Sequence, residues 1–238
     1  MEILILAVVT LPLLTALFLK VANRFLNELL TNFITINAAL LSVAVSFFMF
    51  GYLLLDKFKP IKFELFEWYP SPQIIFEFYL DGLSGVMMIL ISGLSLVIQL
   101  FSTSYMSKDE KYTKYFEYFN FFVFSMLLLV LSGNFLVMFF GWELVGLSSY
   151  LLISFWYEKN SAAKAGNKAF ILNRIGDFGF LIGLMMILNY FETFNFVNIF
   201  ESVLIKQPSN LDLIILFLLL GAFGKSAQFP LFSWLPDA

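Results

Sequence analysis

Four charged residues stand inside stretches otherwise apolar enough to cross a bilayer: Glu143, Arg174, Asp177 and Lys225. A charge near the bilayer centre costs at least ~2.5 kcal/mol on insertion scales, so such residues are rare without a purpose. Their types point to acid–base chemistry, the holding and passing of protons. Arg174 and Asp177 are three residues apart and share one helical face. They can neutralise each other as a local ion pair. Glu143 and Lys225 have no opposite charge within two helical turns on their own stretches, so each must find its partner on another helix. If they met each other at roughly 5 Å, with an effective dielectric near 20, their attraction would be about 3 kcal/mol. Moving Glu143 toward or away from Lys225 would then switch Lys225 between its charged and neutral forms. A static bridge tying two helices is the plainer reading of the same pair.

The elements that carry these residues follow from hydropathy. Of the 238 residues 61% are hydrophobic and only 13% are charged. An average soluble domain carries about 25% charged residues, so this composition marks a polytopic membrane protein. Formal net charge is −3, which gives no electrostatic footprint for nucleic acid. The chain has no cysteine and no histidine. That composition leaves no thiolate for an iron–sulfur cluster and no imidazole for haem, so redox centres are expected outside it. The first apolar run lacks a basic leader and a cleavage site and reads as a retained span.

About seven transmembrane helices are expected, near 3–19, 33–55, 82–105, 116–132, 135–157, 169–190 and from 211 onward. Between the second and third, residues 56–81 form the longest polar segment, with Pro60, Pro70 and Pro72. The alternation Lys62-Phe63-Glu64-Leu65 predicts a small extramembrane hairpin there. Asp81 is placed to cap the third helix, and Gly133-Asn134 to make a tight turn before the fifth. Gly82, Ser84, Gly85, Ser92, Gly93 and Ser95 suit close helix packing. Residues 160–168 and the polar stretch around Lys206 read as loops. By this reading, 1–110 is an N-terminal three-helix segment carrying the hairpin, and 111–238 is a second region.

Counting rise per residue, Glu143 lies roughly 12 Å and Lys225 roughly 21 Å in from the outer ends of their helices. Arg174 and Asp177 lie roughly 8–14 Å from the inner end of theirs. Lys225 follows Gly221 and Gly224 and precedes Pro230, which removes a helical hydrogen bond. The last helix is therefore expected to break near Pro230, and broken membrane helices border protein or water. Ser148, Ser149, Tyr150, Asn173, Ser226 and Gln228 could extend a hydrated path, although packing hydrogen bonds are the commoner use of such residues. Glu117 is placed at the interface, and Trp68, Trp156 and Trp234 near span boundaries, as an aromatic belt requires. Lys20, Arg24, Lys108, Lys111, Lys114, Lys159, Lys164 and Lys168 fall on one side. Lys57, Lys59, Lys62 and Lys206 fall on the other. The positive-inside rule then puts the N-terminus on the outer side.

Three stretches carry a resemblance. YFEYFNFFVFSMLLLVLSGNFLVMFFGWELVGLSSYLLISFWY, KAFILNRIGDFGF and GAFGKSAQFPLFSWLPDA, with DGLSGVMM before them, resemble the antiporter-like L subunit of proton-pumping NADH:quinone oxidoreductase, respiratory complex I. The likeness runs through the whole chain in order. The M and N subunits and the large subunit of multisubunit Na⁺/H⁺ antiporters share the Glu and Lys, so the L assignment rests on flanking residues. The resemblance implies the first part of an antiporter-like inverted-repeat fold, with 111–238 an incomplete first half-channel repeat. It implies that Glu143 and Lys225 form the proton-translocating pair, with Asp177 and Arg174 a secondary charge pair. It implies no cofactor in this chain, with NADH, FMN, iron–sulfur clusters and quinone in partner subunits. The implied partners are other membrane subunits of complex I, above all the M-type one, in a bacterial cytoplasmic or mitochondrial inner membrane. The family pattern continues past WLPDA, so the chain reads as a fragment or a truncated product. The alternatives are a subunit of a multisubunit Na⁺/H⁺ antiporter and a purely structural membrane subunit.

Overall fold

A computed structural model describes residues 1–70, 73–205 and 208–238. Among the described residues eight α-helices and one hairpin follow in order: α1 (Glu2–Ala22), α2 (Glu28–Leu55), β1 (Ile61–Pro70), β2 (Gln73–Leu80), α3 (Gly82–Tyr105), α4 (Tyr112–Val130), α5 (Phe135–Ile153), α6 (Asn160–Phe191), α7 (Phe196–Ile205) and α8 (Leu211–Lys225). The two strands pair in a two-stranded sheet at the expected hairpin. Pro72 and Lys206, which entered the readings of the hairpin and of orientation, lie outside the described residues.

The chain is mostly helical and multi-pass. Among the described residues five helices are long and apolar enough to cross a membrane: Glu2–Phe25, Glu28–Leu55, Gly82–Tyr105, Phe135–Ile153 and Asn160–Phe191. α4 and α8 stand where the other two expected spans were placed. α4 carries Lys114 and Glu117, and α8 has only 15 residues. Two expected loops are helix instead. Residues 160–168 are the first turns of the 32-residue α6, and α7 occupies part of the stretch before Lys206.

By packing, the chain forms two compact units: residues Met1–Phe63 with Glu77–Ser132, and Glu64–Phe76 with Gly133–Ala238. This division follows contacts and puts α4 with α1–α3. In the first unit α1 packs against α2 and α4, and α3 against α2 and α4. Its core mixes Ile5, Val8, Leu53, Met88 and Phe116 with buried Ser42, Ser46, Ser92, Ser95, Gln99 and Asn120. Its outside shows Phe33, Phe47, Leu55, Leu83 and Phe101. Polar groups inside and large apolar ones outside reverse the pattern of a water-soluble domain and suit a lipid surround. Asp81 caps α3 as expected. Its carboxylate accepts from the Ser84 backbone N–H at 2.8 Å, and the Ser84 hydroxyl oxygen accepts from the Asp81 N–H at 2.7 Å.

In the second unit, α6 packs against both α5 and α8. Phe180, Leu184, Ile187, Phe194, Ile199 and Ile214 form its apolar core, with Phe139, Trp142 and Leu218 against them. Asn134 caps α5, accepting from the Val137 N–H at 2.9 Å, and donates to the Ile75 carbonyl at 2.8 Å. α8 ends at Lys225, and a short 3₁₀ segment, Phe232–Asp237, follows. Trp234 Nε1 donates to the Gly224 carbonyl at 3.0 Å, and Lys168 pairs with Asp237 at 2.7 Å. These contacts hold that segment against α8 and the start of α6.

Candidate functional site

The four charges meet in the second unit, on three helices. α5 supplies Glu143, α6 supplies Arg174 and Asp177, and α8 ends on Lys225. Around these positions the three helices are largely apolar, with Lys164, Lys168 and Asp212 toward helix ends, so the charges are met chiefly by one another and by nearby dipoles.

Asp177 is the most buried, with 4% of its side chain exposed. Both of its oxygens are engaged. Oδ1 accepts a hydrogen bond from Trp142 Nε1 at 2.6 Å. Oδ2 lies 3.5 Å from Lys225 Nζ and 3.8 Å from Arg174 Nη1. The same guanidinium nitrogen pairs with Glu143 Oε2. Arg174 also lies over the Phe170 ring, 4.7 Å from its centroid. The result is an alternating chain, Glu143–Arg174–Asp177–Lys225, with two acids, two bases and no net charge.

The structure sets Lys225 against Asp177 and Glu143 against Arg174, so the charges of α5 and α8 are linked through α6. The reason is the position of α6, which packs on both neighbours and turns its Arg174/Asp177 face toward their charges. The i,i+3 pair is thus less a self-contained ion pair than a link between the other two.

Two site residues escaped the sequence reading. Trp142 stacks on Phe180 at 5.1 Å between centroids while its N–H holds Asp177. A Trp inside a span, away from the interface belt, needs a hydrogen-bond partner, and that was the available signal. Gly146, one turn beyond Trp142, leaves room for Lys225: a Cβ at this position would run into the ammonium group. No spacing rule marks that glycine.

The other polar residues named for a hydrated path mostly bond within their own helices. Ser148 donates to Leu144 O at 2.7 Å, Ser149 to Gly146 O at 2.9 Å, and Asn173 Nδ2 to Ala169 O at 2.9 Å. Asn173 Oδ1 is buried without a partner. Ser226 and Gln228 are exposed. Glu117, in the first unit, is half-buried. Among the described residues no group of three or more acidic side chains is placed to hold a metal ion.

Comparison with known proteins bears on this arrangement. Residues 132–238 match the family model described as "NADH:quinone oxidoreductase/Mrp antiporter, TM", and residues 68–116 match "NADH-Ubiquinone oxidoreductase (complex I), chain 5 N-terminus". The chain is 38% identical over 233 residues to NADH-ubiquinone oxidoreductase chain 5 of Metridium senile, covering 97% of this chain and 39% of that protein. It is 41% identical over 182 residues to NADH-quinone oxidoreductase subunit L of Mycobacterium tuberculosis, covering 76% of this chain and 29% of that one. The chain therefore spans well under half the length of these relatives. Among solved structures, a chain of an archaeal respiratory membrane complex, the membrane-bound sulfane sulfur reductase, shares the fold. That chain gives a TM-score of 0.82 at 22% identity, covering 100% of this chain and 47% of that one.

Proposed function

Given that this chain belongs to the antiporter-like L-subunit family of NADH:quinone oxidoreductase, we propose that it is a proton-translocating membrane part of respiratory complex I. The observation that carries the reading is the alternating charge chain Glu143–Arg174–Asp177–Lys225 across three largely apolar helices. Asp177 Oδ2 faces two cations, and Arg174 faces two carboxylates. These shared contacts make the pairings alternatives. While Arg174 is held by Glu143, Asp177 is left to Lys225 and supports it as an ammonium. If Arg174 shifts to Asp177, Lys225 loses its counter-charge and releases a proton to a neighbouring acceptor. Protonation of Glu143 would trigger that shift by freeing Arg174, so proton arrival at one end drives release at the other. The redox groups (NADH, FMN, iron–sulfur clusters and quinone) sit in partner subunits, and the M-type antiporter-like subunit is a neighbour.

The test is Lys225→Met in the assembled complex. NADH oxidation and assembly persist while protons moved per electron fall. Full proton pumping with Met at 225 would refute the assignment. The Mrp antiporter in the matching family description supports a second reading, cation–proton exchange. Sodium-dependent proton flux in proteoliposomes without NADH would favour it. The N-terminus is assigned to the outer side of a bacterial cytoplasmic or mitochondrial inner membrane. A protease-sensitive tag on residue 1 should be cut only from outside sealed vesicles, and cutting from the inner side reverses the assignment.

A further inference from the structure

The first unit holds a polar site that takes no part in the charge chain. α1, α2, α3 and α4 enclose a cavity of about 10 Å³ whose lining includes Pro12, Ser42, Ser92, Ser95, Gln99 and Asn120. The five polar residues among them are each more than nine-tenths buried. Two make hydrogen bonds within their own helices: Ser92 Oγ donates to Ile89 O at 3.2 Å, and Asn120 Nδ2 to Phe116 O at 2.8 Å. Two others, Ser42 Oγ on α2 and Gln99 Oε1 on α3, are buried with no hydrogen-bond partner. Buried polar groups in proteins are almost always paired, by protein or by ordered water, because leaving one unmet is costly. In hydrocarbon surroundings no bulk water can relieve them.

We propose that this cavity binds one ordered water molecule, donating to Gln99 Oε1 and accepting from the Ser42 hydroxyl. Its size matches the lower bound for a single water, about 10–15 Å³ of room for the molecule's centre. The polar lining supplies the two to four partners such a water needs. The occupant is uncharged. No Asp or Glu lines the cavity, so a cation would lie there without a counter-charge, and no Lys or Arg lines it to hold an anion. The volume is too small for an organic ligand. Ser92 and Ser95 thus do more than allow close packing: with Gln99 they build a polar wall on α3 that joins it through water to α2.

The direct test is a density map of the full-length protein in its native complex, at a resolution that shows ordered waters elsewhere in the membrane region. A single peak within about 2.7–3.2 Å of both Ser42 Oγ and Gln99 Oε1 is expected. Gln99→Met, similar in length but without the carbonyl, should abolish the peak. Absence of the peak in the wild-type map overturns the proposal. So does a peak whose contacts are too short for hydrogen bonds and whose height changes when sodium is exchanged for potassium, since that is a cation. The wild-type map needs no variant, so a folding defect in Gln99→Met leaves the test intact.

Discussion

At the scale of single residues, the geometry around Lys225 is set partly by what is missing at position 146. The Lys225 ammonium lies closer than van der Waals contact to where a Cβ on Gly146 would be, and 3.5 Å from Asp177 Oδ2. The obstacle in Gly146→Ala is the far end of a flexible side chain, so the helix need not move; the lysine must. The cost to stability should stay below the ~1–3 kcal/mol typical of overpacking, while Lys225 is pushed off Asp177. Expected are a small change in thermal midpoint and a several-fold loss of NADH-driven proton uptake. Gly93→Ala is the control. Nothing lies within 4 Å of its added Cβ, and Gly→Ala within a helix gains roughly 0.5–1 kcal/mol. Wild-type pumping in Gly146→Ala would remove Gly146 from the site. All four charges were legible in the sequence, because a charge in an apolar span stands out. Their pairing was not. The Arg174/Asp177 face follows from i,i+3 spacing, but partners across helices depend on helix rotation, and each residue turns the face by about 100°.

At the scale of elements, glycine sets the approach of α6 and α8. On α6, Gly176 faces Leu220 O and Gly224 Cα at 3.0 and 3.1 Å from an added Cβ, Gly179 faces Leu220, and Gly183 faces Leu218. On α8, a Cβ at Gly221 would lie 2.7 Å from Phe180 Cβ. Small residues let membrane helices pack backbone to backbone, and here that closeness brings Lys225 to Asp177. Phe180 Cβ is fixed to its backbone and cannot swing aside. Gly221→Ala should therefore cost ~1–3 kcal/mol and part the two helices, lowering the thermal midpoint and proton uptake together. Gly51→Ala, inside α2 with open space around its Cβ, should raise the midpoint slightly, if at all, and leave proton uptake unchanged. If Gly221→Ala matches it, the tight seam is not what holds the site. In the sequence Gly221 and Gly224 pointed only to a weak place in the last helix; their packing role needed the partner helix. The loop expected at 160–168 failed for a related reason. Hydropathy marks where lipid begins, whereas α6 runs 32 residues, about 48 Å at 1.5 Å per residue, well beyond a ~30 Å core. Lys164 and Lys168 sit on its first turns and outside the apolar stretch.

At the scale of the whole molecule, the question is whether the charge chain holds helices together or moves charge, and stability and transport answer it separately. The membrane class, the hairpin and the order of helices were legible because lipid forces long apolar helices and turn chemistry separates them. That same constraint makes an unpaired charge expensive. Lys225→Met alone leaves Asp177 with only the more distant Arg174, and breaking a buried pair from one side typically costs ~3–5 kcal/mol. Adding Asp177→Asn removes the stranded charge while its side-chain oxygen can still accept from Trp142. The neutral Glu143–Arg174 pair remains. Lys225→Met/Asp177→Asn should then recover most of the lost stability, since replacing both members of a buried ion pair is often close to neutral. Proton uptake should not recover, because neither 177 nor 225 can then exchange a proton. A purely structural chain predicts the opposite: a double variant as stable as wild type would also pump like wild type. Thermal unfolding and protons moved per NADH, measured on the same three preparations, separate the two. Pumping that tracks stability would leave the four charges with a packing role alone.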